Sequence, residues 1–188
     1  MKLFWHGEST CTITTDQSNF VINPTTAVKE NSISIFSEEL KTRPKTSERS
    51  FDWPGEYEAG GVSWIGYEWK KKDDTKITLY HFEVEGMNVC HLHSIDEILD
   101  EATLKNLGDV DILLVPLGEK NSLTAKNAVK LVEHIEPRIV IPMLYTSEAL
   151  EEFKKEIGAS NIEAQKELKI TKGNLPTEDM MIVILEKS

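Results

Sequence analysis

The chain has 188 residues, 39% of them hydrophobic and 28% charged, with a formal net charge of −11. That length suits one domain with a sizeable core, and residues 1–188 read as a single unit. The acidic balance argues against a hold on nucleic-acid backbones, which calls for a basic surface.

No apolar run is long enough to cross a bilayer, and the start, MKLFWHGEST, lacks the apolar stretch and cleavage site of a signal peptide. The two cysteines, Cys11 and Cys90, are too few for a disulfide scaffold. They read as reduced, buried thiols in a cytoplasmic protein.

The first third reads as strands. KLFWH, CTITT and NFVIN are short, rich in β-branched and aromatic residues, and separated by turn residues. Ser32 to Phe36 alternates polar and apolar, the pattern of a half-buried strand. Glu38 to Ser50 is polar, contains Pro44 and has no period, so it reads as an exposed loop. Strands resume at Val62 to Trp69, Ile77 to Glu85 and Met87 to Leu92, with a tight turn at Glu85-Gly86. The basic run Lys70 to Lys72, followed at once by Asp73 and Asp74, reads as a solvated hairpin tip.

After Ser94 the period changes. Ile98, Leu99, Ala102 and Leu104 fit a short helix ending before Gly108. Asp111 to Val115 is a buried strand. Ala125, Ala128, Val129, Val132 and Ile135 mark one face of a second helix, and Arg138 to Ile141 is another buried strand. Leu150, Phe153 and Ile157 form a third helical stripe, with Glu151 and Lys155 spaced for an ion pair and Gly158 as the stop. Met180 to Leu185 is the last strand. Strand meanders followed by alternating helix and strand give an α/β (α+β) domain of two sheets, each covered by helices.

Four stretches then stand in a telling order: LFWHGEST, DWPGEYEAGGV, VCHLHSI, and DVDILLVPLG running into EPRIVIPMLY. In these motifs the chain resembles the small, UlaG-like branch of the metallo-β-lactamase superfamily, from about Lys2 to Tyr145. The resemblance implies an αββα four-layer sandwich and a zinc-dependent hydrolase. It also implies a histidine-rich H-x-H-x-D-H loop, a Gly-Asp pair and a late Met-His-Tyr. Such a set gives zinc its nitrogen and carboxylate ligands and leaves one position for a water that the metal activates.

Those ligands are replaced here. The leading histidine positions fall on Glu38 and Leu40, and the Asp-His pair falls on Thr42 and Arg43. Gly-Asp reads His93-Ser94, and Met-His-Tyr reads Met143-Leu144-Tyr145. The early Gly-His-Ser reads Gly7-Glu8-Ser9, and Asp-Pro reads Asn23-Pro24. The expectation is a retained scaffold with vestigial site positions Glu8, Glu38, Leu40, Thr42, Arg43, Ser94 and Leu144, no catalytic residues, and no metal of its own.

His91 and His93 stay open. On a strand they face one side and, with Glu56 or Glu38, make a rebuilt three-ligand zinc site; alternatively they are packed structural histidines. Glu56 is either a ligand or base, or a carboxylate accepting hydrogen bonds from the Pro54-Gly55 turn. Ser9 or Ser94 with His93 is a conceivable nucleophile assembly without a fixed geometry. Trp53, Tyr57, Trp64, Tyr67 and Trp69 read as packing residues. Two functions remain: a non-catalytic protein that binds a small ligand or a partner protein in a homo- or hetero-oligomer, or an atypical metal-dependent hydrolase with a rebuilt site.

Overall fold

The computed structural model describes residues 1–40, 42–118 and 122–188. One sheet holds β1 (Lys2–Trp5), β2 (Cys11–Thr14), β3 (Asn19–Ile22), β4 (Ser32–Ile35), β5 (Ser50–Phe51) and β12 (Leu168–Lys169), in the order β12-β1-β2-β3-β4-β5. The other holds β6 (Gly55–Ala59), β7 (Val62–Lys70), β8 (Lys76–Val84), β9 (Met87–His91), β10 (Ile112–Pro116), β11 (Ile139–Met143) and β13 (Met181–Ile182), in the order β13-β11-β10-β9-β8-β7-β6. The helices are α1 (Glu101–Leu107), α2 (Ala125–Ile135) and α3 (Ser147–Glu156).

Strand periodicity sets the packing. Leu3, Trp5, Ile13, Phe20, Ile22, Ile33 and Ile35 of the first sheet meet Trp64, Phe82, Val89, Ile112, Leu114 and Ile141 of the second. The alternate residues of the second sheet, among them Leu79, Cys90, Leu113, Val115 and Val140, face away and pack on Leu107, Ala128, Leu131, Val132 and Phe153 of the helices. Each helix starts at a side-chain cap: Asp100, Thr124 and Thr146 accept from Thr103, Asn127 and Ala149.

The helical cover is one-sided among the described residues. Two sheets and three helices make the expected mixed α/β architecture, with these helices packed on the second sheet. The loops on either side of β4 bond to each other, Val28 N–H donating to the Lys45 carbonyl, and the second bonds to β4, with Ser34 N–H donating to the Arg49 carbonyl and Ser47 Oγ to the Ser32 carbonyl. For the same reason β4 is buried on both faces rather than one, Ser32 and Ser34 included. Much of the outward face is polar, through Lys2, Thr12, Thr14 and Asn19, so water can cover it.

Other elements depart from expectation for local reasons. Ile98 and Leu99 precede α1, because Asp100 caps the helix after them and Leu99 packs into the helical core on its own. Glu151 pairs with Lys154 rather than Lys155. The last strand shortens to Met181–Ile182, although Leu185 still bridges to Gln165. Gly55–Ala59, given no strand beyond the Pro54-Gly55 turn, is the edge strand β6. Its carboxylates Glu56 and Glu58 face water while Tyr57 and Ala59 pack inward. Lys71 is 7% exposed rather than solvated. It falls in the phase of Tyr67 and Trp69, which pack on the helical side, and its Nζ donates to Ser94 Oγ at 3.3 Å.

Trp64 anchors the space between the sheets. It is 1% exposed, stacks on Tyr57 at 5.4 Å between ring centroids, and meets Phe20 and Phe51 edge-on. Trp64→Ala is expected to lower the unfolding free energy by about 3–5 kcal/mol, read by urea denaturation, since both sheets lose the same packing partner.

Candidate functional site

The carboxyl ends of the strands converge on one cleft. Parallel pairs β3–β4 and β9–β10–β11 point the same ends toward it, where an open α/β sheet generally places ligands. Asn23 follows β3, Glu38 follows β4, His93 and Ser94 follow β9, and Leu144 follows β11; Glu8 and Ser9 come from the β1–β2 turn. The cavity measures about 590 Å³.

Its walls are held in unusual backbone conformations. Glu8, Asn23, His93 and Leu144 have φ of 48°, 51°, 50° and 62°, left-handed values that non-glycine residues seldom adopt. Each costs on the order of 1–3 kcal/mol and persists because the surroundings fix it. The Glu8 carbonyl accepts from both Trp5 Nε1 at 2.8 Å and Leu144 N–H at 3.2 Å, tying the first turn to the last. Trp5 stacks on Tyr145, whose hydroxyl donates to the Leu185 carbonyl.

A polar network fills the floor. Asn23 Oδ1 accepts from Ser37 N–H at 2.7 Å. Asn23 Nδ2 lies 3.2 Å from His93 Nδ1, 3.2 Å from Ser37 Oγ and 3.3 Å from Ser9 Oγ. His93 N–H donates to His91 Nδ1 at 3.2 Å, and His91 Nε2 donates to the Ser9 carbonyl at 3.0 Å. Burial pushes the fully enclosed His91 down to about 3, so its ring is neutral. His93 Nε2 stands 3.8 Å from Glu38 Oε2. The contact with the His93 ring is the largest cause holding the Glu38 carboxyl below its ordinary value, with Lys71 adding to it against the opposing effect of burial. Ser9 Oγ is engaged with Asn23 and Ser94 Oγ with Lys71, so neither forms the conceivable pair with His93.

A model of the beta-lactamase superfamily domain matches residues 2–144. The chain belongs to the metallo-β-lactamase superfamily. Among its relatives are a UPF0173 protein of Pyrococcus furiosus, 45% identical over 39% of this chain and 36% of that one, and a UPF0173 metal-dependent hydrolase of Archaeoglobus fulgidus, 29% identical over 44% and 38%. The chain thus spans under half the length of these relatives. Similar solved structures include a metallo-β-lactamase superfamily protein of Thermotoga maritima, with a TM-score of 0.78, 23% identity and 98% of both chains covered. Another is the metallo-β-lactamase fold protein YhfI of Bacillus subtilis, with a TM-score of 0.65, 8% identity and 100% and 96% covered. These likenesses carry the fold.

Glu8, Glu38, Leu40, Thr42, Arg43, Ser94 and Leu144, the seven positions that the resemblance picked out, all line this one cleft, with His93. Arg43 is ion-paired with Asp52 and lies over the Phe36 ring. The rebuilt set does not assemble. Glu56 sits on the outward face of the second sheet, in register with Ile65 and His81, and lines a separate cavity with them. Both ring nitrogens of His91 are used inside the protein. Among the described residues no group of three or more His, Cys, Asp and Glu side chains is placed to hold a metal ion. Asn23, noted in the sequence at the place of the family's Asp but given no role, and Lys71, read as part of a hairpin tip, both join the site. The Asn23-Pro24 dipeptide was the visible signal for the first, and the two-residue strand phase for the second.

The buried neutral His91 makes the fold acid-sensitive. Its value lies near 3 when folded and near 6.5 otherwise, so the unfolded chain takes up a proton that the folded chain refuses. Stability is therefore full above 6.5 and falls as pH drops toward 3, by about 1.4 kcal/mol per unit. His91→Gln should flatten this part of the slope. Urea denaturation between pH 6.5 and about pH 5 is expected to show the native protein losing about 2 kcal/mol more than the variant.

Proposed function

We propose that this chain is a non-catalytic member of its superfamily whose former metal cleft serves to bind a small ligand or a partner protein. Leu144 carries the reading. It stands in the cleft at the place of the family's late histidine, a hydrocarbon where a ligand nitrogen is needed. Arg43 adds a fixed cation to the same wall, the opposite of what a metal ion tolerates. Of the remaining donors, His93 and Glu38 approach one another at 3.8 Å, but with Glu8 they make no group of three placed to hold a metal among the described residues, so the residues present do not fit a catalytic zinc ion. No hydrolytic step is assigned to the cleft.

The partner class follows from charge and shape. A net charge of −11 disfavours nucleic acid. The cleft's polar floor and the exposed Trp53, at 66%, beside the Arg43–Asp52 pair suit a small ligand or a peptide edge of another subunit, a homologous active chain included. Both cysteines are free and buried, in keeping with a cytoplasmic setting. Among the described residues no helix is long and apolar enough to cross a membrane.

Elemental mass spectrometry of untagged protein, purified without added metal or chelator, tests the reading. Zinc, iron and manganese are each expected far below one per chain, with no hydrolysis of ester or phosphodiester substrates. About one metal per chain, together with chelator-sensitive hydrolysis, sinks it.

A further inference from the structure

We propose that Asn23 is a positioning residue that keeps Nδ1 of His93 an acceptor and its hydrogen on Nε2, so that the cleft offers a hydrogen-bond donor to an oxygen acceptor where a metal-ligating histidine would offer a lone pair.

The lock starts with the asparagine's own orientation. Asn23 Oδ1 accepts from the Ser37 backbone N–H at 2.7 Å. Rotating the amide by half a turn would set its NH₂ against that N–H, two donors face to face. The backbone adds two more ties: Asn23 N–H donates to the Ile35 carbonyl at 2.7 Å, and the Asn23 carbonyl accepts from Thr10 Oγ1 at 2.7 Å. The amide nitrogen is therefore the atom presented to His93 Nδ1, 3.2 Å away. Its two hydrogens are shared among that nitrogen, the Ser9 and Ser37 hydroxyls, and the Ser9 carbonyl at 3.5 Å.

A neutral imidazole carries one hydrogen, and the nitrogen that accepts cannot be the one that donates. With Nδ1 accepting from Asn23, the hydrogen sits on Nε2. That nitrogen is enclosed, has no hydrogen-bond partner within 3.5 Å among the described residues, and belongs to a side chain only 7% exposed. Its nearest acceptor is the Glu38 carboxylate at 3.8 Å, a loose contact that an incoming oxygen could displace. The ligand chemistry that fits is a carboxylate or carbonyl oxygen, the group Glu38 itself supplies.

The consequence for metal binding is direct. A histidine that ligates through Nε2 needs its hydrogen on Nδ1, donated to a carboxylate or carbonyl in the layer behind. Here the layer behind is an amide NH₂. His91 is held the same way, its Nδ1 accepting from His93 N–H, so neither ring turns a lone pair to the cleft. Asparagine at position 23 therefore disfavours a metal independently of Leu144 and Arg43.

Side-chain nitrogen NMR of the intact, histidine-labelled protein at neutral pH reads the tautomer. His93 is expected to show a hydrogen-bearing Nε2 and a bare Nδ1, with resonances unmoved by an equivalent of zinc chloride. A hydrogen on Nδ1, alone or together with one on Nε2, overturns the proposal, and so does a zinc-induced shift of His93. Asn23→Asp, which keeps the shape but turns the donor into an acceptor, is expected to bring a hydrogen onto Nδ1 while the His91 signals stay in place. An unchanged His93 in that folded variant also overturns it. Metal bound elsewhere in the chain would sink the reading of the previous subsection and leave this tautomer standing.

Discussion

One half-buried amide holds the functional end of this molecule together. Asn23 leaves the first sheet at the end of β3, and its side chain reaches the β1–β2 turn at Ser9, the end of β4 at Ser37 and the end of β9 at His93. The last of these belongs to the other sheet. Apolar packing brings the two sheets face to face, but it is non-directional and does not fix how their ends meet. Hydrogen bonds do, and here four segments depend on a group with one acceptor and two donor hydrogens. The left-handed turns at Glu8, Asn23, His93 and Leu144 are affordable because this network and the Glu8 carbonyl over-determine them.

That arrangement separates scaffold from chemistry. The superfamily's architecture places loops at the carboxyl ends of parallel strands, and this chain keeps the loops, their strained backbone and the cavity they enclose. The atoms facing inward come from the side chains those loops carry. Leucine, threonine, arginine and a serine bound to a buried lysine line the walls, and the histidines are turned to internal hydrogen bonds. Fold and function are thus carried by different residues in the same few turns.

The sequence made the scaffold legible because burial leaves a periodic trace. β7 to β11, α2 and α3 all showed their phase, and the seven positions picked out by the ordered motifs line one cleft. Three features left no such trace. β5 and β12 are two residues long, too short to alternate. β6 carries two glutamates on its open face and begins with a glycine, so composition argued against a strand that pairing with β7 enforces. The third is the direction of hydrogen bonds. Nothing in HLHSI tells that the first ring spends both nitrogens inside the protein, or that Asn23 decides which nitrogen of the second carries the hydrogen. Glu56 shows the limit of proximity along the chain: strand alternation alone sends it to the opposite face from the cleft.

The closing of the first sheet has a bearing on how the chain comes to its shape. β1 pairs on one side with β2, a few residues away, and on the other with β12, so that Lys2 meets Lys169 and Leu3 meets Leu168. The backbone of Trp5 then meets Lys187 and Ser188. A ribosome makes the β1–β2 hairpin before it reaches Leu168 and Lys169, which cover that hairpin's outer edge. Contacts of such sequence separation slow folding, and an uncovered strand edge can pair with the wrong neighbour in the meantime. The sandwich therefore carries a window of vulnerability during synthesis. Its length is set by the distance along the chain between the first strand and the segment that finally seals it.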